Sequence, residues 1–288
     1  MSLVIDRKFL ISEESKVSKI LEGVYHKGQK HAWNGKRVLH DLLGKHNGIQ
    51  EIEPEQKRAL KNIFSIILWG ELAAWKISAQ LAAELDNIEA KMAATSQVHD
   101  EARHFYVMRD YLSLGDYNNI STQLPKSVEK ALAMVLSTDN LAKKLLGMQL
   151  MVEPVALTIF QEVRGTNIEP VLCELLSYFE KDEARHIALG VNYLPIILNK
   201  MSTYEIISLL VWQIKLFRLE VAGLQELKKD FECLGIDPEH AFLLAEKKQL
   251  EALKILAGRI KIGSWVWKPA QLMVHNYRRH MFKDDLNG

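Results

Sequence analysis

The sequence has few of the residues that interrupt helices or staple small domains together. Among its 288 residues there are only 15 glycines, 7 prolines and 2 cysteines. Cys173 and Cys233 each stand alone, without a Cys-x-x-Cys pair, so we expect neither a disulfide scaffold nor a thiolate metal site. The scarcity of glycine and proline favours long helices over a turn-rich β fold.

The chain also lacks a large charge imbalance and a long apolar run. Lysine and arginine total 37 against 36 acidic residues, which gives no reason to expect nucleic acid or an anionic membrane as a partner. The most apolar late stretch, residues 206–224, is interrupted by Lys215, Arg218 and Glu220, so it predicts a buried or amphipathic helix rather than a membrane span. The first residues have no apolar core of the kind that a secretory signal needs, and we expect a cytoplasmic protein.

Apolar residues recur at helical spacing along most of the chain, and no segment alternates as a strand does. The predicted fold class is all-α, with one domain over residues 1–288. Its metal-binding core would span about residues 55–200, and additional helices would span about residues 200–288. The predicted helices, with approximate ends, are Glu13–Gly28, Pro54–Glu84, Ile88–Ser113, Ser127–Thr138, Asn140–Val163, Ile168–Asn192, Thr203–Gly235 and Pro238–Gly263.

One five-residue string occurs twice. Residues 100–104 and residues 182–186 both read Asp-Glu-Ala-Arg-His. Within each copy the Glu and the His are three residues apart, so on a helix they share one face. A single Glu-x-x-His is usually part of a solvated surface, whereas two copies of the whole string indicate a shared function.

Two isolated glutamates lie in otherwise apolar stretches. Glu71 is the only charged residue between Lys61 and Lys76. In the same way, Glu153 is the only charged residue between residues 144 and 162. A buried carboxylate without a partner is costly, so both positions predict a bound cation or a proton.

These elements repeat at one interval. The two isolated glutamates are 82 residues apart, and so are the two Glu and the two His of the repeated string. Within each half, the isolated glutamate precedes the Glu of the string by 30 residues, with turn-like sequence near the midpoints at residues 86 and 168. This spacing predicts two duplicated helical hairpins, each placing one Glu opposite one Glu-x-x-His. The six predicted metal ligands are Glu71, Glu101, His104, Glu153, Glu183 and His186.

Four carboxylates and two imidazoles are the ligand set of a di-iron or di-manganese helical bundle. We predict two iron ions, with manganese or a mixed Fe/Mn pair as the alternative, and no catalytic residue beyond the ligands. The preceding aspartates would accept the other ring N–H of a histidine from the opposite hairpin, pairing Asp182 with His104 and Asp100 with His186. The arginines of the repeated string, Arg103 and Arg185, would neutralise these aspartates.

At these residues, over about positions 55–200, the sequence resembles the oxygen-activating branch of the ferritin-like di-iron carboxylate superfamily. The order and approximate spacing of the ligands are similar to those of acyl-carrier-protein desaturases, bacterial multicomponent monooxygenases, arylamine N-oxygenases and ribonucleotide reductase small subunits. The resemblance implies a ferritin-like four-helix core. Two departures narrow the resemblance to these families. Met108 stands where the reductase subunits carry their radical tyrosine, and Phe179 stands where the N-oxygenases carry an extra histidine ligand.

The resemblance implies an enzyme that uses O₂ to desaturate or hydroxylate a small, largely apolar organic or acyl substrate. A separate ferredoxin or reductase would supply its electrons, and a homodimer is expected by analogy. Two alternatives stay open: a radical-generating subunit like that of ribonucleotide reductase, and an iron-binding or ferroxidase protein.

Overall fold

The computed structural model describes residues 15–115 and 124–258, and within these ranges it contains helices and no strand. The all-α prediction is therefore confirmed. None of the helices in these ranges combines the length and the apolarity that are needed to cross a bilayer. The elements are α1 (Lys16–Lys30), α2 (Gly35–His46), α3 (Pro54–Glu84), α4 (Ile88–Leu114), α5 (Lys126–Leu136), α6 (Leu141–Gly147), a π-helical segment (Met148–Val152), α7 (Glu153–Thr166), α8 (Pro170–Leu198), α9 (Thr203–Glu226), α10 (Lys228–Cys233) and α11 (Pro238–Ala257).

Two helical hairpins form the centre of the fold. Helices α3 and α4 pack together across a short connection at residues 85–87, and α7 and α8 pack together across residues 167–169. Asn87 caps α4 by accepting the backbone N–H of Ala90 at 2.8 Å, and Glu169 caps α8 by accepting that of Leu172 at 2.7 Å. Both connections lie at the predicted midpoints. Contacts between α4 and α8 then join the two hairpins.

The predicted ligands lie between two clusters of buried apolar side chains. Along α3, Phe64 precedes Glu71 and belongs to one cluster, whereas Leu81 follows it and belongs to the other. The predicted ligands of α4, α7 and α8 also lie between residues of one cluster and residues of the other. For α7, the residues before the ligand are those of the π-helical segment. The polar layer is therefore enclosed by apolar packing on both sides along the bundle.

The predicted helix Asn140–Val163 is wrong as a continuous element. The structure divides it into α6, the π-helical segment and α7. Pro154 has no N–H to bond the carbonyl of residue 150, and its ring would clash with that carbonyl in a regular helix. The wider π turn relieves this conflict, and Glu153 is the first residue after the π-helical segment.

Three other boundaries differ from the prediction. Helix α2 was not predicted. Helix α8 continues to Leu198 despite Pro195, because Leu194 and Leu198 are buried and this packing outweighs the missing hydrogen bond. The predicted helix Thr203–Gly235 ends at Glu226 and is followed by the separate α10. The first two residues of the predicted helix at Glu13, and the end of the last one at Gly263, lie outside the described residues.

Candidate metal centre

The four helices of the two hairpins bring all six predicted ligands into one buried cluster. Glu71 comes from α3, Glu153 from α7, and the two Glu-x-x-His pairs from α4 and α8. None of the six side chains is more than 5% exposed. Their carboxylate and imidazole atoms form two groups in which all ligand atoms lie within 4.8 Å of one another.

Each histidine faces three carboxylates with its Nδ1 atom. The Nδ1 of His104 lies 3.2 Å from Glu71, 3.3 Å from Glu183 and 3.9 Å from Glu101. The first group of ligand atoms is therefore built around this nitrogen.

The second group repeats the first around His186. The Nδ1 of His186 lies 3.0 Å from Glu101, 3.1 Å from Glu183 and 3.8 Å from Glu153. Glu101 and Glu183 thus belong to both groups, and each turns one oxygen towards each histidine. Glu101 and Glu183 could therefore serve both cation positions, and Glu71 and Glu153 one position each.

The other nitrogen of each histidine faces an aspartate of the opposite hairpin. The Nε2 of His104 lies 3.0 Å from Asp182, and the Nε2 of His186 lies 3.4 Å from Asp100. These are the pairs that the sequence predicts. A carboxylate at Nε2 holds the proton there and leaves Nδ1 free to bind a cation.

Two arginines balance the two aspartates. Arg103 donates to both carboxylates, at 2.7 Å in the case of Asp182. Arg185 also donates to both, at 3.0 Å in the case of Asp100. Two guanidinium groups and two carboxylates form a layer with no net charge. The two arginines are therefore engaged by the aspartates, and among the described residues they form no ion pair with the four inner glutamates.

Burial and mutual contact shift the pKa values of the inner groups in opposite directions. Burial raises the pKa of Glu71 and Glu153 well above the ordinary glutamate value. Burial alone would lower the pKa of His104, but the carboxylates of Glu71, Asp182 and Glu183 raise it well above its usual range. Burial would raise the pKa of Glu183 as well, yet the charge of His186 holds it far below its usual range. Protons and metal cations would therefore compete for these side chains.

The cluster fits a pair of divalent cations. The Oε2 atom of Glu101 is buried and has no hydrogen-bond partner among the described residues, which is costly for a carboxylate. Two divalent ions would match the charge of the four inner glutamates. Oxygen and nitrogen donors without a thiolate suit iron or manganese.

Two contacting residues were not predicted from the sequence. The indole N–H of Trp33 donates to Asp182 at 2.8 Å, on the carboxylate that also faces His104. The side-chain amide of Gln97 donates to Glu101 at 3.1 Å and to Glu153 at 3.0 Å. Gln97 lies one helical turn before Glu101, and this spacing was a signal that could have found it. Trp33 precedes α2 and carries no comparable signal.

Phe179 lies directly against the candidate centre. Its ring stacks on that of His104 with the centroids 4.2 Å apart. The aromatic side chain fills the position at which an extra histidine was considered and shields the imidazole from solvent. The described residues therefore place two histidines, and no third, within the cluster.

A cavity of about 100 Å³ adjoins the cluster. Three of the predicted ligands line it: Glu71, Glu101 and Glu153. Among the described residues, every other lining side chain is apolar or a glycine except Glu220 of α9. A small apolar molecule could therefore lie against the inner carboxylates in a mainly apolar setting.

The sequence has no match among protein-family models or curated proteins. Solved structures do match it. A mutant R2-like ligand-binding oxidase with an aerobically reconstituted Mn/Fe cofactor is 17% identical, and the match covers 87% of this chain and 95% of that chain with a TM-score of 0.64. A mutant with an Fe/Fe cofactor is also 17% identical, covering 87% and 94% with a TM-score of 0.65. The R2-like ligand-binding oxidase from Sulfolobus acidocaldarius is 20% identical, covering 84% and 92% with a TM-score of 0.60. The chain therefore has the all-α, ferritin-like fold of these oxidases.

Proposed function

We propose that this chain is an O₂-dependent oxidase whose redox centre is a pair of metal ions, either two irons or one manganese and one iron. The observation that carries the proposal is the buried cluster of four glutamates arranged in two groups around two imidazoles. The similar oxidases, which carry Mn/Fe or Fe/Fe cofactors, support the same choice of metals.

The six clustered residues would hold the ions, with Glu101 and Glu183 between them. When bound, the metal pair would supply the electron exchange with O₂. The protein's own part is positional. The Gln97 amide fixes Glu101 and Glu153, and the aspartates fix the histidine tautomers.

The cavity supports an apolar substrate. Its lining beside Glu71, Glu101 and Glu153 is mainly apolar, and it offers mainly van der Waals contact to an occupant. In hydroxylation a C–H bond would become C–OH and the second oxygen atom would leave as water. In desaturation two hydrogens would leave the substrate and both oxygen atoms would become water. Each balance requires two electrons and two protons, and an external ferredoxin or reductase would supply the electrons.

The structure favours this oxidase function over the two alternatives. Met108, at the position of the radical tyrosine in reductase subunits, is fully buried in an apolar cluster and offers no phenol. An iron-storage role would not require an apolar cavity against the carboxylates. A cytoplasmic homodimer with no nucleic-acid partner is part of the same proposal, in keeping with the balanced charge of the chain.

Oxygen uptake tests the proposal. The full chain is loaded with Fe(II) without oxygen, and O₂ consumption is then measured with an electrode. We expect prompt uptake by the wild type and loss of most of it in Glu183→Gln, because the amide removes one charge shared by both cation positions.

Glu174→Gln is the matched control, since Glu174 lies on the same helix in a partly exposed ion pair with Lys45. This variant should consume oxygen like the wild type. No uptake by iron-loaded wild type, or equal uptake by Glu183→Gln, would contradict the proposed oxidase function.

A further inference from the structure

The 82-residue repeat relates two buried residues that are chemically unlike each other. Gln97 precedes Glu101 by four positions and Phe179 precedes Glu183 by four positions, so the two occupy equivalent points of the two hairpins. Both side chains contact predicted ligands of the candidate metal centre. The two halves of the centre therefore differ at this matched pair, which is an amide in one hairpin and a phenyl ring in the other.

Gln97 supports the His186 position, by which we mean the group of ligand atoms around His186. Its Nε2 atom donates to Oε1 of Glu153 at 3.0 Å and to Oε1 of Glu101 at 3.1 Å. The same oxygen of Glu101 lies 3.0 Å from Nδ1 of His186. Oε1 of Gln97 accepts from the amide of Gln149 at 3.4 Å, which fixes the orientation of the amide group. Two carboxylates of this position are therefore held in place before a cation arrives.

Phe179 gives a different neighbour to the His104 position, the group of ligand atoms around His104. Its ring stacks on the imidazole with the centroids 4.2 Å apart, and the ring of Phe160 packs edge-on against Phe179. A phenyl ring cannot donate a hydrogen bond to a carboxylate. Among the described residues, Glu71, the counterpart of Glu153 in the repeat, accepts from His104 and from no side-chain amide.

Three effects decide which position binds a cation more tightly. A hydrogen-bond partner that orients a ligand typically contributes about 10–100-fold to metal affinity, and this favours the His186 position. An apolar ring offers a cation no polar contact in place of its hydration, which disfavours the His104 position.

The third effect acts in the opposite direction but is smaller. Nε2 of His104 lies 3.0 Å from its aspartate, against 3.4 Å for Nε2 of His186. This shorter contact makes His104 the better oriented imidazole. Both histidines keep a carboxylate partner, however, so the difference counts for less than two amide hydrogen bonds against none.

We propose that Gln97 is a positioning residue that makes the two cation positions unequal, so that a divalent metal ion fills the His186 position before the His104 position. Repulsion between two neighbouring divalent ions separates the two binding steps further. The inference rests on the proposed function in one respect, namely that the cluster binds two metal ions. It adds an order of filling, and unequal positions are what a mixed pair of metals requires in order to assemble in one arrangement.

Stepwise binding of Mn(II) to the full chain tests the inference. Calorimetry without oxygen gives the dissociation constants of the two steps, and electron paramagnetic resonance distinguishes a single Mn(II) ion from a magnetically coupled pair. For the wild type we expect two resolved steps, with an uncoupled signal at one equivalent and a coupled signal at two. Anomalous scattering from crystals with one equivalent of Mn(II) should place the ion beside Nδ1 of His186.

Gln97→Leu removes the amide at nearly the same side-chain size. It should weaken the first binding step by about tenfold, the lower end of the range for ligand-orienting residues, and divide the ion between the two positions at one equivalent. A loss of packing alone would weaken binding without moving the ion. Gln97→Met replaces the leucine variant if that variant does not fold.

Gln161→Leu is the matched control. Gln161 lies on α7, which carries Glu153, but its side-chain oxygen accepts from Lys248 at 2.7 Å and it contacts none of the predicted ligands through a hydrogen bond. This variant should bind both Mn(II) ions with the constants and the order of the wild type.

Three results would overturn the inference: a first ion at the His104 position of the wild type, a coupled pair already at one equivalent, or a Gln97→Leu protein that still holds its first ion only at the His186 position. If the chain nevertheless binds two ions and consumes O₂ when loaded with iron, the proposed function survives these results. A wild type that binds no transition metal contradicts the proposed function and the inference together.

Discussion

Replacing Gly190 with alanine tests how tightly helix α8 packs against the π-helical segment. A Cβ atom at Gly190 would lie 2.8 Å from Cβ of Gln149 and 2.9 Å from Cδ2 of Leu150. The leucine methyl can rotate away, but Cβ of Gln149 is bonded to the backbone. The π-helical segment must therefore move by about 0.6 Å to reach an ordinary contact of 3.4 Å.

The expected cost follows from this displacement. Overpacking by one methyl group in a rigid core destabilises a protein by about 1–3 kcal/mol. The better helix propensity of alanine returns up to about 1 kcal/mol. We therefore expect Gly190→Ala to lower the free energy of unfolding by about 1–2 kcal/mol in urea titration.

The same movement should reach the candidate metal centre. Gln149 bonds Gln97, whose amide holds Glu101 and Glu153, and Glu153 follows the displaced segment directly. Mn(II) affinity in Gly190→Ala should fall by about tenfold, at the lower end of the range for residues that orient metal ligands.

Gly23→Ala is the matched control, because Gly23 lies within α1 and a Cβ there would meet no atom within 4 Å. This variant should be as stable as the wild type or slightly more stable, with the same metal affinity. If Gly190→Ala is as stable as Gly23→Ala and binds Mn(II) equally well, the packing argument for the π-helical segment is refuted.

Three further predictions concern side chains beside the centre and the cavity. Asp182→Asn should lower Mn(II) affinity by about 10–100-fold in titration, because the carboxylate charge that fixes the tautomer of His104 is lost. Equal affinity would show that the aspartate does not act on the metal. Trp33→Phe should cost about 1 kcal/mol of unfolding free energy through the lost 2.8 Å hydrogen bond, and an unchanged value would refute that contribution. Glu220 keeps its proton in the folded chain between its ordinary pKa and about 8 while the unfolded chain releases it, so wild-type stability should fall as pH rises through this window. Glu220→Gln does not titrate, so its free energy of unfolding relative to that of the wild type should rise by roughly 1–3 kcal/mol between pH 5 and pH 8 in urea titrations, and a constant difference would contradict the buried, protonated state.

The arrangement of the hairpins was predictable because the sequence repeats itself. An interval of 82 residues relates both halves, and the isolated charges at Glu71 and Glu153 are visible without any structure. Helical geometry then places the Glu and the His of each Glu-x-x-His on the same face of their helix. The pairing of Asp182 with His104 followed from the same duplication and is present in the structure.

The features that sequence reasoning missed depend on contacts distant in the chain. Trp33 bonds Asp182 across 149 residues, and nothing around Trp33 indicates that partner. Glu220 was read only as a charge that interrupts an apolar stretch, since the cavity beside it is formed by several other helices. The π-helical segment arises from the conflict between Pro154 and the packing of its helix, and apolar periodicity does not distinguish it from an α-helix.

Helix α2 was missed although its ends carry local signals. Asn34 caps its start by accepting the N–H of Arg37 at 3.0 Å, and Asn47 ends it in the left-handed conformation. Leu39 and Leu42 are buried three residues apart on one face. Its short length and polar composition weakened the apolar pattern, and packing against α4 and α8 stabilises it in the fold.

Anomalous X-ray scattering from crystals of the iron- or manganese-loaded chain tests the central claim most directly. The account predicts two metal ions per chain, one bound by Nδ1 of His104 with Glu71 and the other by Nδ1 of His186 with Glu153. Both ions should contact the two shared glutamates, Glu101 and Glu183. A chain that retains no transition metal, or that binds it through the Nε2 atoms on the aspartate side, would contradict the account.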